Sequence, residues 1–166
     1  MDPPRNRVKA EPARSNNPEI ATFVLGSVSV ERVPEQRNLV LILARAFAAQ
    51  LATAVFLLDP EGTIIYYNEA GERLTGRPFI EGGRQTIDEW MKRRRPRDEE
   101  GLEVSIQDLP LGTTMLKHDP AHGIITFRTE DGVDRRVETA SFPLFAHTED
   151  FVGTFSIVWP VEEDRR

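Results

Sequence analysis

The sequence predicts an α+β domain built on a five-stranded antiparallel sheet, and three observations carry that expectation. A strand, a tight turn, a second strand and a short helix follow one another across residues 54–76. Three further strands, at 124–128, 133–144 and 151–159, are divided by turn residues rather than helices, as antiparallel neighbours are. Between the two groups lie only short helical segments, too brief to form a helical layer of their own.

Along the chain, residues 1–20 hold four of the twelve prolines and almost no large apolar side chains. Such a segment buries too little surface to offset its ordering entropy and reads as a disordered tail. It has no apolar core of the kind a signal peptide needs. Residues 22–33 alternate loosely, as a short strand or extended arm would, so 1–33 is taken as one N-terminal segment. Pro34 and Glu35 suit a first helical turn. The following run, LVLILARAFAAQLA at 39–52, is apolar nearly all round, and the helix is expected over 34–53. A helix of that kind needs cover on more than one side. Residues 39–58 are also long enough to span a bilayer, with 17 apolar residues in 20. Arg45 near the middle, six alanines and the turn chemistry directly after argue against a span.

Asp59-Pro60-Glu61-Gly62 separates AVFLL (54–58) from TIIYY (63–67). Pro60 presets φ and Gly62 tolerates positive φ, the chemistry of a hairpin turn. Asn68 is placed as an N-cap, and Gly76 as the left-handed stop of the short helix between them. Further on, 87–92 carries Trp90 in a helical turn. Asp108 and Pro110 suit the start of a helix over 109–117. The core is expected over 54–160, with a short tail at 161–166.

Composition narrows the chemistry. The 166 residues include no cysteine and three histidines, with a net charge of −6. Disulfides, thiolate nucleophiles and Cys-ligated metals are therefore excluded. The acidic balance argues against general nucleic-acid binding, and the basic run at 92–97 is followed at once by Asp98-Glu99-Glu100. Phosphate-binding glycine loops are missing, and the adjacent acid pairs cannot converge on one atom as a general acid and base must. Ser141, His147 and Asp150, a strand-end serine beside a loop histidine, make a poor triad. The reading is of a cytoplasmic, non-catalytic protein.

The stretch FLLDPEGTIIYYNEAGERLTGR (56–77) resembles the opening of the PAS (Per-Arnt-Sim) sensor family. DLPL (108–111), TFRTEDGVDRRVETASFPLF (126–145) and FVGTFSIVW (151–159) are similar to its last helix and closing strands. The resemblance covers about 37–160. It implies the PAS fold, with short helices on one face of the sheet and an N-terminal apolar helix covering the other. AVFLL is apolar on both faces, which agrees with that cover. No motif leading into a coiled coil follows residue 160, so the chain is expected to be a stand-alone sensory domain.

The resemblance also implies a pocket between sheet and helices for a small-molecule ligand, with Phe56, Tyr66, Asn68, Trp90, Met115, Ile125 and Phe127 as candidate lining. The same residues could simply fill a core, leaving a protein–protein adaptor without a ligand. Chromophores linked through cysteine, the light-sensing flavin adduct among them, are excluded. Non-covalent flavin is compatible with the sequence. Heme would call for a proximal histidine, and His118 stands where the last helix ends. The N-terminal helix is expected to form a homodimer through Leu39, Leu43, Phe47 and Leu51, burying its second apolar side. A signal would then pass to an unidentified partner protein.

Overall fold

Local chemistry sets the first half of the fold much as its residues suggest. In a computed structural model, helix α1 (Arg32–Ala48) leads into strand β1 (Ala54–Leu58) and strand β2 (Thr63–Tyr67). The turn between the strands is closed by Gly62 N donating to the Asp59 carbonyl, and by Thr63 N donating to Asp59 Oδ1 at 2.7 Å. Helix α2 (Glu69–Thr75) starts at Asn68, whose side chain accepts from Gly71 N, and ends at Gly76 in the left-handed region. Strand β3 (Gln85–Thr86) runs directly into helix α3 (Ile87–Arg94), which is opened by a reciprocal capping box between Thr86 and Glu89. A 3-10 turn (Ile106–Asp108) precedes helix α4 (Pro110–Lys117). Strands β4 (Ala121–Arg128), β5 (Asp134–Phe145) and β6 (Phe151–Pro160) complete the fold. The structure describes residues 32–80 and 85–161, with side chains from Leu39 onward. From Val33 they belong to one compact unit. The expected N-terminal segment up to residue 31, and the tail beyond residue 161, lie outside the described residues.

The sheet is antiparallel, in the order β3-β2-β1-β6-β5-β4. It has six strands rather than the five expected. The extra one, β3, is only two residues long and pairs with Thr63 and Ile64, too short to leave a periodic signal in the sequence. Helix α1 stops at Ala48, although the sequence stays apolar to Ala52. Nor does Asp108 cap α4. It accepts from Ser105 Oγ at 2.7 Å, and α4 begins at Leu109 with Pro110 in its first turn. Pro143 sits inside β5, beyond the last β4 pairing at Ser141, where only β6 lies alongside. The outer edge, β4, is partly covered by Arg97, which exchanges two backbone hydrogen bonds with Thr126.

Alternation then sorts side chains to two faces. Inward, toward α2, α3 and α4, point Ala54, Phe56 and Leu58 of β1, Phe127 of β4, Val137 of β5 and Val158 of β6. Outward, Val55, Leu57 and Phe155 form a second cluster with Ala44 and Ala48 of α1 and with Leu51 beyond its end. A bulge in the β1–β2 register matters for the site. Leu57 pairs with Tyr66 and Leu58 with Ile64, so one residue of β2 is extra. Ile64 and Tyr67 therefore share the inner face, and Ile65 and Tyr66 pack outside.

Candidate functional site

Between the inner face and its helices lies a partly open cavity of about 60 Å³. Its walls are apolar: Phe56, Leu58 and Ile64 from the first hairpin, Ile87 and Trp90 from α3, and Ile125, Phe127 and Val158 from the far strands. Leu109, Pro110 and Leu111 close it at the start of α4. The hydroxyl-bearing Thr139 and Ser156 supply what polarity it has. Ser156 Oγ is already 2.7 Å from Ser141 Oγ, so Ser141 is spent inside the core and away from any triad. Beside them Thr154 Oγ1 is buried without a partner.

Four of the seven candidate lining residues come together here: Phe56, Trp90, Ile125 and Phe127. Tyr66, Asn68 and Met115 do not. The β2 bulge turns Tyr66 to the outer face, where its ring lies 4.9 Å from the Arg45 guanidinium. Tyr67 takes the inner place, donating its hydroxyl to the Pro78 carbonyl at 3.0 Å, and burial pushes its phenol above the ordinary value. Met115 packs instead beneath the first hairpin, its Cε where a side chain on Gly62 would stand. Gly62 is favoured for its positive φ, and a Cβ there would also push aside the flexible tip of Met115.

Asn68 is 1 % exposed and its amide is fully engaged by backbone. Nδ2 donates to the carbonyls of Ala48 (3.0 Å), Leu51 (3.1 Å) and Thr53 (2.9 Å). Oδ1 accepts from Val55 N (3.1 Å) and Gly71 N (3.0 Å). His118 ends α4 in the left-handed region, exposed, with its ring stacked 4.1 Å from Phe151 and outside the cavity lining.

On the far side of α1, Leu39, Leu43 and Phe47 stand 53–59 % exposed, and Ile42, which the sequence reading did not single out, is 61 % exposed. Their spacing makes one stripe. Leu51 lies past the helix and packs inward on the outer-face cluster, because the helix ends three residues before it.

The basic run is held by acids distant in sequence rather than by its neighbours. Arg93 and Arg94 meet Glu130, Arg95 meets Glu103, and Arg97 meets Asp134, while Glu99 pairs with Arg136. Arg94, 2 % exposed, also donates to the Thr75 and Arg128 carbonyls, and burial lowers its pKa from the usual arginine value. No cluster of metal-ligating side chains occurs among the described residues. None of their helices is long and apolar enough to cross a membrane.

Residues 43–110, from α1 to the first residue of α4, match the family model of the PAS domain. The matched stretch is similar to PAS domains, and the fold is the PAS fold. Solved PAS structures share its fold at low identity. The PAS domain of BvgS from Bordetella pertussis aligns with a TM-score of 0.51 and 15 % identity, over 75 % of this chain and 87 % of that one. The LOV protein of Rhodobacter sphaeroides aligns at 0.58 and 12 %, over 74 % and 68 %. A search of curated proteins finds no match. PAS domains are typically sensory signalling modules and generally non-catalytic.

Proposed function

We propose that this PAS-fold domain is a non-catalytic signalling module that dimerises through α1 and passes its signal to a partner protein. One observation carries the reading: four large apolar side chains of α1 are more than half exposed to solvent, while Ala44 and Ala48 face the sheet. Isolated exposed hydrophobics are ordinary, but a continuous helical stripe is the pattern of an interface. The test is mass by light scattering at micromolar concentration. Wild type is expected to run as a dimer and Leu43→Glu as a monomer; a monomeric wild type overturns the proposal.

The cavity supports a ligand of only a few atoms. Its volume of about 60 Å³ is well under the roughly 150 Å³ that admits a benzene ring. In this reading the core is filled mainly by its own side chains, as in the adaptor alternative. As shaped by its own side chains the cavity is smaller than a flavin ring system or a heme, and His118, stacked on Phe151, lies outside its lining. Native mass spectrometry of the purified protein tests this part. A retained flavin or heme mass overturns it, and the bare chain mass agrees with it.

A further inference from the structure

Asn68 was a candidate for contact with a ligand, yet every polar atom of its side chain is turned to backbone. Its orientation is unambiguous, because all three partners of Nδ2 are carbonyls and both partners of Oδ1 are N–H groups. The partners belong to four separate pieces of chain. Ala48 ends α1, and its carbonyl, past the helix's own donors, accepts from Leu51 N at 3.2 Å as well as from Asn68. Leu51 and Thr53 lie in the connection, Val55 is in β1, and Gly71 is in the first turn of α2. Backbone bonds reinforce the same point, with Asn68 N donating to the Val55 carbonyl and Glu72 N to that of Asn68.

Helix α2 is in turn seated on the cavity side. Ala70 and Leu74 pack on the cluster of Phe127, Val137 and Val158, with Phe56 and Trp90, so α2 rests on residues that also line the cavity. The end of α1 sits on the opposite face, on Val55, Leu57 and Phe155. One buried amide therefore ties the helix resting on the cavity wall to the helix carrying the exposed apolar stripe, around the end of β1.

We propose that Asn68 is the junction that couples the inner and outer faces of the sheet: a shift of α2 is transmitted to the end of α1 through its carboxamide. This rests on the signalling role proposed above, but the coupling itself is measurable in the unliganded full chain. Asn68→Asp separates the two halves of the junction. A carboxylate caps α2 as well as the amide does and still accepts from Val55 and Gly71. It loses the two N–H donors shared among the three carbonyls and faces those oxygens with negative charge.

The experiment is segment-resolved amide hydrogen exchange on four proteins: wild type, Leu74→Ala, Asn68→Asp and the double variant. Leu74→Ala trims the underside of α2. It is expected to raise exchange across residues 45–53 several-fold in the wild-type background and to add nothing in Asn68→Asp. Asn68→Asp alone is expected to raise exchange there about tenfold while α2 stays protected. An effect of Leu74→Ala on 45–53 that is absent in wild type, or of equal size in both backgrounds, overturns the proposal. If Asn68→Asp does not fold, the Asn68 carboxamide resonances of the other two proteins decide. They must move together with the α1 amides, and α1 changing while the carboxamide stays fixed overturns the coupling. A chain that shows this coupling but runs as a monomer would keep the junction and lose the dimer.

Discussion

On the inner face of the sheet, Phe127, Val137 and Val158 lie beneath three short helices and are almost fully covered. On the outer face, Val55, Leu57 and Phe155 are covered by little more than the end of α1 and the chain that follows it. Farther out on the same face Phe142 remains 41 % exposed, and α1 itself leaves Leu39, Ile42, Leu43 and Phe47 more than half exposed, Phe47 with one edge on Phe155. Among the described residues, burial is thus nearly finished on one side and less complete on the other. Substitutions inside should register in folding stability, and those outside in association.

The largest effect should come from the inner face. Phe127→Ala removes a buried ring packed 5.7 Å from Trp90, and is expected to cost about 3–5 kcal/mol in urea unfolding. A cost under about 1 kcal/mol would show that this face collapses easily and is not the rigid one. Next is Thr154→Val, which deletes the unpartnered buried hydroxyl. Without a hydrogen bond to lose, it should stabilise the fold by about 1 kcal/mol; a loss of stability would reveal a buried water in contact with the hydroxyl. Outside, Leu43→Ala should change the unfolding free energy of the monomer by less than about 0.5 kcal/mol. A larger loss, measured at concentrations where the chain is monomeric, would mean that α1 is held more tightly than its exposure implies.

The smallest effect concerns the charged rim at the end of β5. Hydrogen bonds from Arg97 and Arg128 hold Asp134 below the ordinary carboxylate range. The folded chain binds this proton more weakly than the unfolded chain. The contribution to stability is therefore present above the unfolded pKa of about 4 and is lost as pH falls through the lower folded value. Asp134→Asn should flatten the acid limb of the stability profile below about pH 4 and leave neutral pH nearly unchanged. An unaltered acid limb would show that solvent screens the pair completely.

What the sequence made legible was chemistry confined to neighbours. The turn at Asp59–Gly62, the Asn68 cap and the Gly76 stop each depend on residues within a few positions, and each is where the sequence places it. The assignment of Tyr66 to the cavity failed because strict alternation cannot show a bulge, and one extra residue exchanges it with Tyr67. Asn68 was readable as a cap and not as a junction, since its other partners stand as far as 20 residues away. The paired state of the arginine run was hidden for the same reason, with Arg97 reaching across 37 residues to Asp134.

Gly153 adds a temporal meaning to the centre of the sheet. A Cβ there would stand 2.2 Å from the Leu58 carbonyl oxygen, so only glycine lets β6 close on β1 at that end. The hairpin of β1 and β2 and the meander of β4 to β6 each arise from chain that is near in sequence. The pairing of Ala54 with Val158 instead closes a loop of about a hundred residues. Two halves can take shape by fast local events, but the molecule becomes one sheet only when that distant pair of strands meets. From the sequence separation of its contacts, this central seam is expected to limit the rate of folding.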